Sequence, residues 1–420
     1  MSLLELSGRL LRGETSTVEH HPFSTSNQIE EVADGVAFVD SFANVTAITT
    51  DDGLVLVDTG SLFAAAAVHE AVRSWSAAPA TTAVYTHGHV DHVFGTAAFE
   101  AESPLTVYGH SAVDNRFDRY IKTAGYNGVV NQRQFQMPGL RWPTDYRRCD
   151  ETYEDRRDIA VGATTLELHH ARGETDDHTW VWLPERKVLC TGDLIIWCCP
   201  NAGNPQKVQR YPEDWAAALR EMAALRPELL LPGHGLPVAG AVDVQAVLLD
   251  TATVLESLAA QTLALMNEGA RLSDILHTVR VPDGLLDKPY LRPIYDDPEF
   301  IVRNVWRLYG GWYDGNPANL KPAAEGALAA EVAALAGGAE ALAARARALV
   351  SAGDDSSLRL AGHLAEFAAL AAPSSPAAHA ARAEVFAARA GAEPSLMAKG
   401  VFRWAEAESR ERAAKLPTDG

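Results

Sequence analysis

Four residues of the kinds that bind metal ions lie within six positions of the chain, directly after a short apolar run. They are His87, His89, Asp91 and His92. The apolar run ending at Thr86 predicts a strand. A loop that leaves the end of a strand can direct the first two side chains to one side and the last two to another, which allows two adjacent metal ions. The alternative is a polar loop with solvated histidines.

Composition excludes several classes of protein. The 420 residues include 36 Lys+Arg and 55 Asp+Glu, for a formal net charge of −19, and this excess repels nucleic acids and anionic membranes. Hydrophobic residues are 47% of the chain and charged residues 22%, as in globular proteins. No apolar stretch approaches the ~18 residues that span a bilayer, and residues 1–14 do not resemble an export signal. The four cysteines form no C-x-x-C pair, so we expect buried thiols and a cytoplasmic location.

Two kinds of pattern divide the chain. From residue 35 to about residue 240, short β-rich runs alternate with helical patterns, which predicts a layered α/β domain. After residue 240 the strand signal stops and long helical patterns begin. The segment 323–420 has 35 alanines in 98 residues, which favours packed helices over disorder. We therefore predict a catalytic domain over residues 1–240 and an all-helical domain over residues 241–420.

The metal-ligand motif and three further motifs resemble the metallo-β-lactamase fold superfamily. The H-x-H-x-D-H loop described above matches that superfamily at every position. The resemblance implies that Asp58 supports the metal loop, that Asp193 in a Thr-Gly-Asp run bridges the metals, and that His234 in a Gly-His-Gly turn is the last ligand. Each motif follows a predicted strand, and they occur in the expected order. The implied fold is an α/β, αββα metallo-β-lactamase sandwich followed by an all-α helical dimerisation domain.

Glu174 stands where most members of the superfamily carry a histidine ligand. It follows the glycine of a turn and lies 19 residues before Asp193, and both features resemble the alkyl sulfatase branch. A carboxylate is a hard oxygen ligand, so it lowers the charge of the site and admits metals other than zinc. His169, His170 or His178 could serve instead, but His170 should still lie on the preceding strand.

The resemblance implies seven ligands for two divalent metal ions. One ion is bound by His87, His89 and Glu174, and the other by Asp91, His92 and His234. The carboxylate of Asp193 bridges the two ions. We expect zinc, with manganese or iron as alternatives. Ions about 3.5–4 Å apart lower the pKa of a bridging water until hydroxide is available near neutral pH. The hydroxide attacks the substrate, or Asp91 delivers the water, and the reaction is hydrolysis of an ester-like bond.

The helical region is also similar to alkyl sulfatases. The runs 285–291 and 309–318 look like the alkyl sulfatase dimerisation domain, whose signature is an aromatic-Asp-Gly-Asn-Pro turn after a helix. This similarity implies a homodimer. Full-length members carry a further C-terminal domain, similar to lipid carriers, that this sequence does not reach. We therefore expect a small substrate rather than a long-chain detergent.

Candidate substrate-binding residues lie in two segments. Asn201 matches the sulfate-binding asparagine of the family by spacing, and we expect it to act in both catalysis and binding. The family's arginine has no counterpart at the corresponding place, where Lys207 or Arg210 could substitute. Arg116 and Arg119 share one helical face, and arginine binds sulfate, phosphate or carboxylate oxygens through two hydrogen bonds. Salt bridges on a solvated helix are the alternative.

The predicted function is that of a dinuclear metal-dependent hydrolase that resembles alkyl sulfatases and hydrolyses a small anionic sulfate ester with a metal-activated water. His178 and Tyr211 are candidates for the general acid by position alone. One alternative is a hydrolase of a lactone, thioester or phosphoester on the same fold. Another is a non-catalytic helical binding protein, which the complete ligand set opposes because buried carboxylates and imidazoles are costly without metal.

Overall fold

The computed structural model describes residues 1–416, so residues 417–420 of the predicted helical domain lie outside the described residues. The strands of the described part form two sheets. In chain order they are β1 (Ile29–Ala33), β2 (Val36–Val39), β3 (Val45–Thr50), β4 (Gly53–Val57), β5 (Ala80–Val84), β6 (Thr106–His110), β7 (Glu151–Tyr153), β8 (Arg156–Val161), β9 (Thr164–His170), β10 (Thr179–Leu183), β11 (Val188–Gly192), β12 (Leu229–Pro232) and β13 (Val238–Ala239).

Some helices pack against these sheets, and others follow the sheets along the chain. In chain order they are α1 (Leu3–Leu11), α2 (Ala65–Trp75), α3 (Val90–Val93), α4 (Thr96–Glu100), α5 (Ala112–Lys122), α6 (Ala124–Phe135), α7 (Pro212–Ala224), α8 (Ala241–Asn267), α9 (Leu272–Thr278), α10 (Pro298–Gly310), α11 (Pro317–Leu320), α12 (Glu325–Ala336), α13 (Ala339–Val350), α14 (Asp355–Ala371), α15 (Pro376–Ala392) and α16 (Leu396–Lys415).

Both sheets are mixed, and their parallel pairs position the site. The first sheet has the order β1-β2-β3-β4-β5-β6-β7, and the second has the order β13-β12-β11-β10-β9-β8. Strands β4 and β5 are parallel with Val57 opposite Val84, and β11 and β12 are parallel with Gly192 opposite Pro232. Parallel neighbours end at the same edge of a sheet. The loops after these four strands therefore bring Asp58, the 87–92 motif, Asp193 and His234 to the carboxyl ends of the strands.

The two faces of the first sheet pack in different cores. In β4, Val55 and Val57 belong to the core that includes Leu166 and Leu168 of the second sheet, together with residues of α7 and α8. The alternate residue Leu56 belongs to a second core with Val68 of α2 and residues of α5. Side chains alternate across a strand with period two, so this pattern places helices outside two facing sheets. The predicted αββα sandwich is confirmed.

The chain divides into two compact units by packing. The first comprises Met1–Ala124 and Pro143–Trp312, and the second comprises Gly125–Trp142 together with the chain from Tyr313 onward. Helices α8 and α10 belong to the first unit because their apolar residues, Val247 and Val305 among them, lie in the core that also contains α7. The division at residue 240 stays a prediction about the domain boundary.

The second unit is helical in the part of the chain that the structure describes, as predicted for the C-terminal region. Buried alanines such as Ala343 and Ala365 lie at its helix contacts, where a small side chain lets backbones approach closely. No single helix within residues 1–416 is long and apolar enough to cross a membrane, although α12 and α13, bent by 83° at their junction, meet the length and composition requirements together.

Candidate metal centre

Side chains from loops that are far apart in sequence meet in two adjacent clusters. The first contains His87, His89, Glu174 and Asp193, and the second contains Asp91, His92 and His234. Within each cluster the candidate ligand atoms all lie within 4.8 Å of one another. These are the seven residues that the sequence predicts as ligands. Their binding of metal stays a prediction, and the structure brings the donor atoms together as that prediction requires.

Asp193 lies between the two clusters. Its Oδ2 atom is 3.7 Å from His87 Nε2, and its Oδ1 atom is 3.2 Å from His92 Nε2 and 3.4 Å from His234 Nε2. Burial opposes ionisation of this carboxyl, but the neighbouring imidazoles outweigh burial and hold its pKa well below the usual range. The two oxygens of Asp193 thus face different clusters, which is the arrangement of a bridging ligand.

The histidines of the second cluster are oriented by their other ring nitrogen. His92 Nδ1 donates to Asp58 Oδ2 at 2.7 Å, and the backbone N–H and hydroxyl of Thr86 donate to the two Asp58 oxygens at 2.7 Å each. His234 Nδ1 donates to the backbone oxygen of Phe42. Both Nε2 atoms therefore face the cluster, as in metal-binding histidines whose second nitrogen is held by an acceptor. The predicted support of the metal loop by Asp58 is confirmed by these contacts.

Three buried atoms of the clusters make no hydrogen bond within residues 1–416. They are His92 Nε2, Asp193 Oδ1 and Glu174 Oε2. A buried polar atom without a partner is unfavourable, and a cation held in each cluster would pair with all three. Imidazole and carboxylate donors suit divalent metals such as zinc, manganese and iron. The residues present therefore fit divalent metal ions.

Glu174 is held by two residues that the sequence predicts for substrate binding. Asn201 Nδ2 donates to Glu174 Oε1 at 2.5 Å. Arg210 forms an ion pair with the same oxygen and donates to the backbone oxygen of Asn201 at 2.6 Å. All three side chains are buried. Burial raises the pKa of Glu174 and Arg210 opposes that rise, so Arg210 compensates a charge that a histidine at this position would not carry.

The alternative histidine ligands lie outside both clusters. His169 stacks on Trp180 with ring centroids 3.9 Å apart. His170 stacks on His110 at 3.7 Å, and its Nδ1 lies 3.0 Å from the backbone oxygen of His178. Both rings are engaged away from the clusters, whereas Glu174 lies within the first cluster, and its role as a ligand stays a prediction.

His178 contacts the backbone of Asp193 rather than facing open space. The Asp193 N–H donates to His178 Nε2 at 3.1 Å, and the ring stacks on His87 at 4.9 Å. Burial lowers the pKa of His178 to about 4. A neutral ring that accepts at Nε2 carries its proton on Nδ1, so these contacts suit a supporting role. The catalytic role of His178 stays a prediction.

The other candidate acid, Tyr211, is half-buried with the Arg172 guanidinium 4.7 Å from its ring.

The two arginines predicted on one face of α5 have different surroundings. Arg116 is buried and paired with Asp176 and with Asp177, the latter at 2.9 Å. Arg119 is half-buried, and its guanidinium lies 5.3 Å from the Tyr120 ring. The guanidinium of Arg116 is thus already occupied by carboxylates.

Lys207 lies within electrostatic range of the metal clusters. Burial and Arg210 lower its pKa to about 8, while Asp91 and Glu174 oppose the change. Arg119 also lowers the pKa of Lys207. Lys207 thus interacts electrostatically with Arg119 and Arg210 and with two cluster carboxylates, and we call these three cationic residues the cationic flank.

Three aromatic residues beside His234, here called the aromatic wall, were not predicted from the sequence. The Phe23 ring lies 5.1 Å from the His234 ring and 4.7 Å from that of Tyr295. Phe42 lies 5.5 Å from His234. The three aromatic residues come from distant parts of the chain, so no local pattern indicates that they meet. They give the second cluster an apolar flank, opposite in character to the cationic one.

Two family models match the chain in succession. The model described as Metallo-beta-lactamase superfamily matches residues 39–234, and that described as Alkyl sulfatase dimerisation matches residues 271–412. A linear primary-alkylsulfatase of Pseudomonas sp. is 27% identical over 336 residues, which cover 73% of this chain and 62% of that protein. An (R)-specific secondary-alkylsulfatase of Pseudomonas sp. is 29% identical over 347 residues, covering 74% of this chain and 52% of that protein.

A solved structure shares the fold. The stereoselective inverting sec-alkylsulfatase Pisa1 from Pseudomonas sp. superimposes with a TM-score of 0.82 at 25% identity, over 93% of this chain and 66% of that one. This chain therefore spans between about half and two thirds of the length of these relatives. The order of the matched models, the fold and the alkylsulfatase relatives agree with one another. The chain thus combines a region that matches the metallo-beta-lactamase superfamily, residues 39–234, with a region that matches the alkyl sulfatase dimerisation family, residues 271–412.

Proposed function

We propose that this chain is a dinuclear metal-dependent hydrolase of small anionic sulfate esters. One observation carries the proposal: the two clusters of candidate ligands meet at Asp193, whose two oxygens face different clusters. Several relatives of the chain are named alkylsulfatases, and this supports a sulfate ester as substrate. Zinc is the metal we propose first, with manganese or iron as alternatives.

Two divalent ions in these clusters would supply Lewis acidity and a water of lowered pKa. Asp91 is the carboxylate of the clusters with the most exposed side chain, at 20%. Its Oδ2 lies 3.6 Å from His234 Nε2, and as the most exposed of the three carboxylates it would be the one open to a proton from a metal-activated water. Asp193 and Glu174 are buried and balance positive charge without being open to solvent.

The cationic flank suits the sulfate group. Lys207 keeps a proton at neutral pH because its pKa stays at about 8, and its ammonium can attract sulfate oxygens as a point charge. Asn201 lies beside Glu174, and its Nδ2, which donates one hydrogen to Glu174 Oε1, has a second hydrogen that a sulfate oxygen can accept. Arg210 contributes positive charge from behind Glu174. We propose that Lys207, Asn201 and Arg119 orient the anionic end of the ester, while Arg210, held in its ion pair with Glu174, adds positive charge nearby.

The aromatic wall suits the organic part of the ester. Phe23 and Phe42 lie against the His234 ring, and Tyr295 lies against Phe23, so the three rings offer contact area to an apolar group. A short alkyl or aryl group fits this placement. The similarity to the alkyl sulfatase dimerisation family supports a homodimer as the working form, and a cytoplasmic location remains our proposal from the composition.

The test is inorganic sulfate release from short and medium primary and secondary alkyl sulfates, with the metal content quantified in the same preparation. We expect two metals per chain, and release that Asp193→Ala abolishes while the exposed control Asp118→Asn does not. A protein that holds two metals but releases no sulfate would refute the sulfate ester as substrate, and lactones, thioesters and phosphoesters would then be tested. A folded protein that binds no metal would refute the proposal entirely.

A further inference from the structure

A buried ion pair lies beneath the metal-ligand loop. Arg116 of α5 is 4% exposed and Asp177 is 0% exposed, and Arg116 Nε lies 2.9 Å from Asp177 Oδ1. Arg116 also pairs with Asp176. Neither Arg116 nor Asp177 contributes an atom to the two clusters, so neither is a candidate ligand.

Asp177 joins two loops that carry candidate ligands. Its second oxygen, Oδ2, accepts a hydrogen bond from the backbone N–H of Gly88 at 2.9 Å. Gly88 lies between His87 and His89, and Asp177 lies three residues after Glu174. One hydrogen bond therefore ties the loop after β5 to the loop after β9, at the point where both contribute to the first cluster.

The packing around Gly88 is tight on the same side. A Cβ atom at Gly88 would lie 3.0 Å from Asp177 Oδ2, 3.1 Å from Arg116 Cδ and 3.2 Å from Phe117 Cε1. The stem of Arg116 and the ring of Phe117 thus form a floor under the peptide that links the two histidines. A shift of either residue would move the backbone of both histidines.

The charges explain why the arginine is buried here. Asp177 is fully buried, and a buried carboxylate without a counter-charge is strongly unfavourable. Arg116 supplies that counter-charge and leaves the other oxygen of Asp177 for Gly88. With two carboxylates on its guanidinium and little exposed surface, Arg116 offers no free fork to an anionic substrate.

We propose that Arg116 and Asp177 are positioning residues that hold His87, His89 and Glu174 in register, and that Arg116 does not bind substrate. The proposal rests on the metal binding proposed above and is independent of sulfate as the substrate. The proposal predicts that removing either residue weakens metal binding at the first cluster and leaves the second cluster unchanged. The hydrogen bond from Asp177 reaches the loop of the first cluster, whereas His92 of the second cluster is held separately by Asp58.

The experiment is a zinc titration against a chromophoric chelator, which resolves the two sites by affinity. We expect Arg116→Met and Asp177→Ala to weaken one zinc site by about 10–100-fold, the usual effect of removing groups that orient ligands, and to leave the other site unchanged. Asp177→Asn keeps an acceptor for Gly88 and should show a smaller loss. The matched control is Asp118→Asn, also on α5, where the side chain is 62% exposed.

Kinetics at saturating zinc separates positioning from substrate binding. We expect kcat to fall in Arg116→Met while KM stays within about twofold, and Arg116→Lys to recover part of the zinc affinity. Wild-type zinc affinity in both Arg116→Met and Asp177→Ala would overturn the inference, as would a raised KM with zinc binding unchanged. Should Asp177→Ala not fold, Asp177→Asn and Arg116→Lys decide by the same titration. Failure of the wild-type protein to bind two zinc ions would instead refute the proposed function.

Discussion

Replacing Gly233 with alanine adds one methyl group directly against the carboxylate that lies between the two clusters. A Cβ atom at Gly233 would lie 2.2 Å from Asp193 Oδ1, 2.7 Å from the carbonyl carbon of Gly192 and 2.9 Å from Asp193 N. Ordinary contact begins at 3.4 Å, so the carboxylate oxygen has to move by about 1 Å. Gly233 does not have a positive φ, so left-handed backbone strain does not contribute and the effect comes from these three contacts, of which the one with Asp193 Oδ1 is the shortest.

The surroundings of Asp193 indicate how much a displacement of its carboxylate should cost in turnover and zinc affinity. The same oxygen lies 3.2 Å from His92 Nε2 and 3.4 Å from His234 Nε2, and Asp193 is buried. A displacement of about 1 Å at a reacting centre lowers turnover by about 100-fold, and disturbing groups that set ligand geometry weakens metal binding by about 10–100-fold. We therefore expect Gly233→Ala to lower turnover by about 100-fold and zinc affinity by about 10–100-fold.

The assay is zinc titration with sulfate release on the same preparation, and Gly391→Ala is the matched control. A Cβ at Gly391, within α15, meets no atom within 4 Å, so this variant should bind zinc normally and gain roughly 0.5–1 kcal/mol of helix stability. Wild-type zinc affinity and turnover in Gly233→Ala would refute the reasoning, because Asp193 Oδ1 could then not be a required ligand in the place where the structure has it.

Three further outcomes are expected. Glu174→Gln leaves buried Arg210 without its counter-charge, so we expect weaker zinc binding and a loss of about 3–5 kcal/mol in the free energy of unfolding; unchanged urea unfolding would contradict this. Burial raises the pKa of Asp296 to about 7, so its favourable contribution to stability is complete below pH 4 and disappears as the pH rises through 7. The stability of the wild type relative to Asp296→Asn should therefore fall by about 1.4 kcal/mol per pH unit between pH 5 and pH 7, and parallel pH profiles would contradict the assignment. Light scattering at micromolar concentration should give a dimer, and a monomer would refute the proposed homodimer.

Much of the candidate site could be predicted because its motifs are local. His87, His89, Asp91 and His92 lie within six positions, so one loop carries them wherever it is placed. Asp58 directly follows a strand, and the parallel pairing of β4 with β5 brings it to Thr86 and His92. Such short-range patterns are readable because strand ends at one edge of a sheet are close in space.

Charge compensation could not be predicted from the sequence. Arg210 and Arg116 are both candidates for anion binding by residue type, yet each is paired with a buried carboxylate. These pairs join residues 36 and 61 positions apart, and nothing local to either arginine indicates its partner. The aromatic wall of Phe23, Phe42 and Tyr295 is likewise assembled from distant segments.

The sequence predicted the fold class and the candidate ligand set through motifs that resemble a known superfamily, and its alanine-rich segments predicted the helical character of the C-terminal region. These patterns are readable because each involves residues that are neighbours in the chain. Only the tertiary structure shows which oxygen of Asp193 faces which cluster, which carboxylates pair with Arg116, and that helices α8 and α10 pack with the sheets. Those outcomes depend on burial, since a charge removed from water has to be paired with whatever group the fold brings beside it.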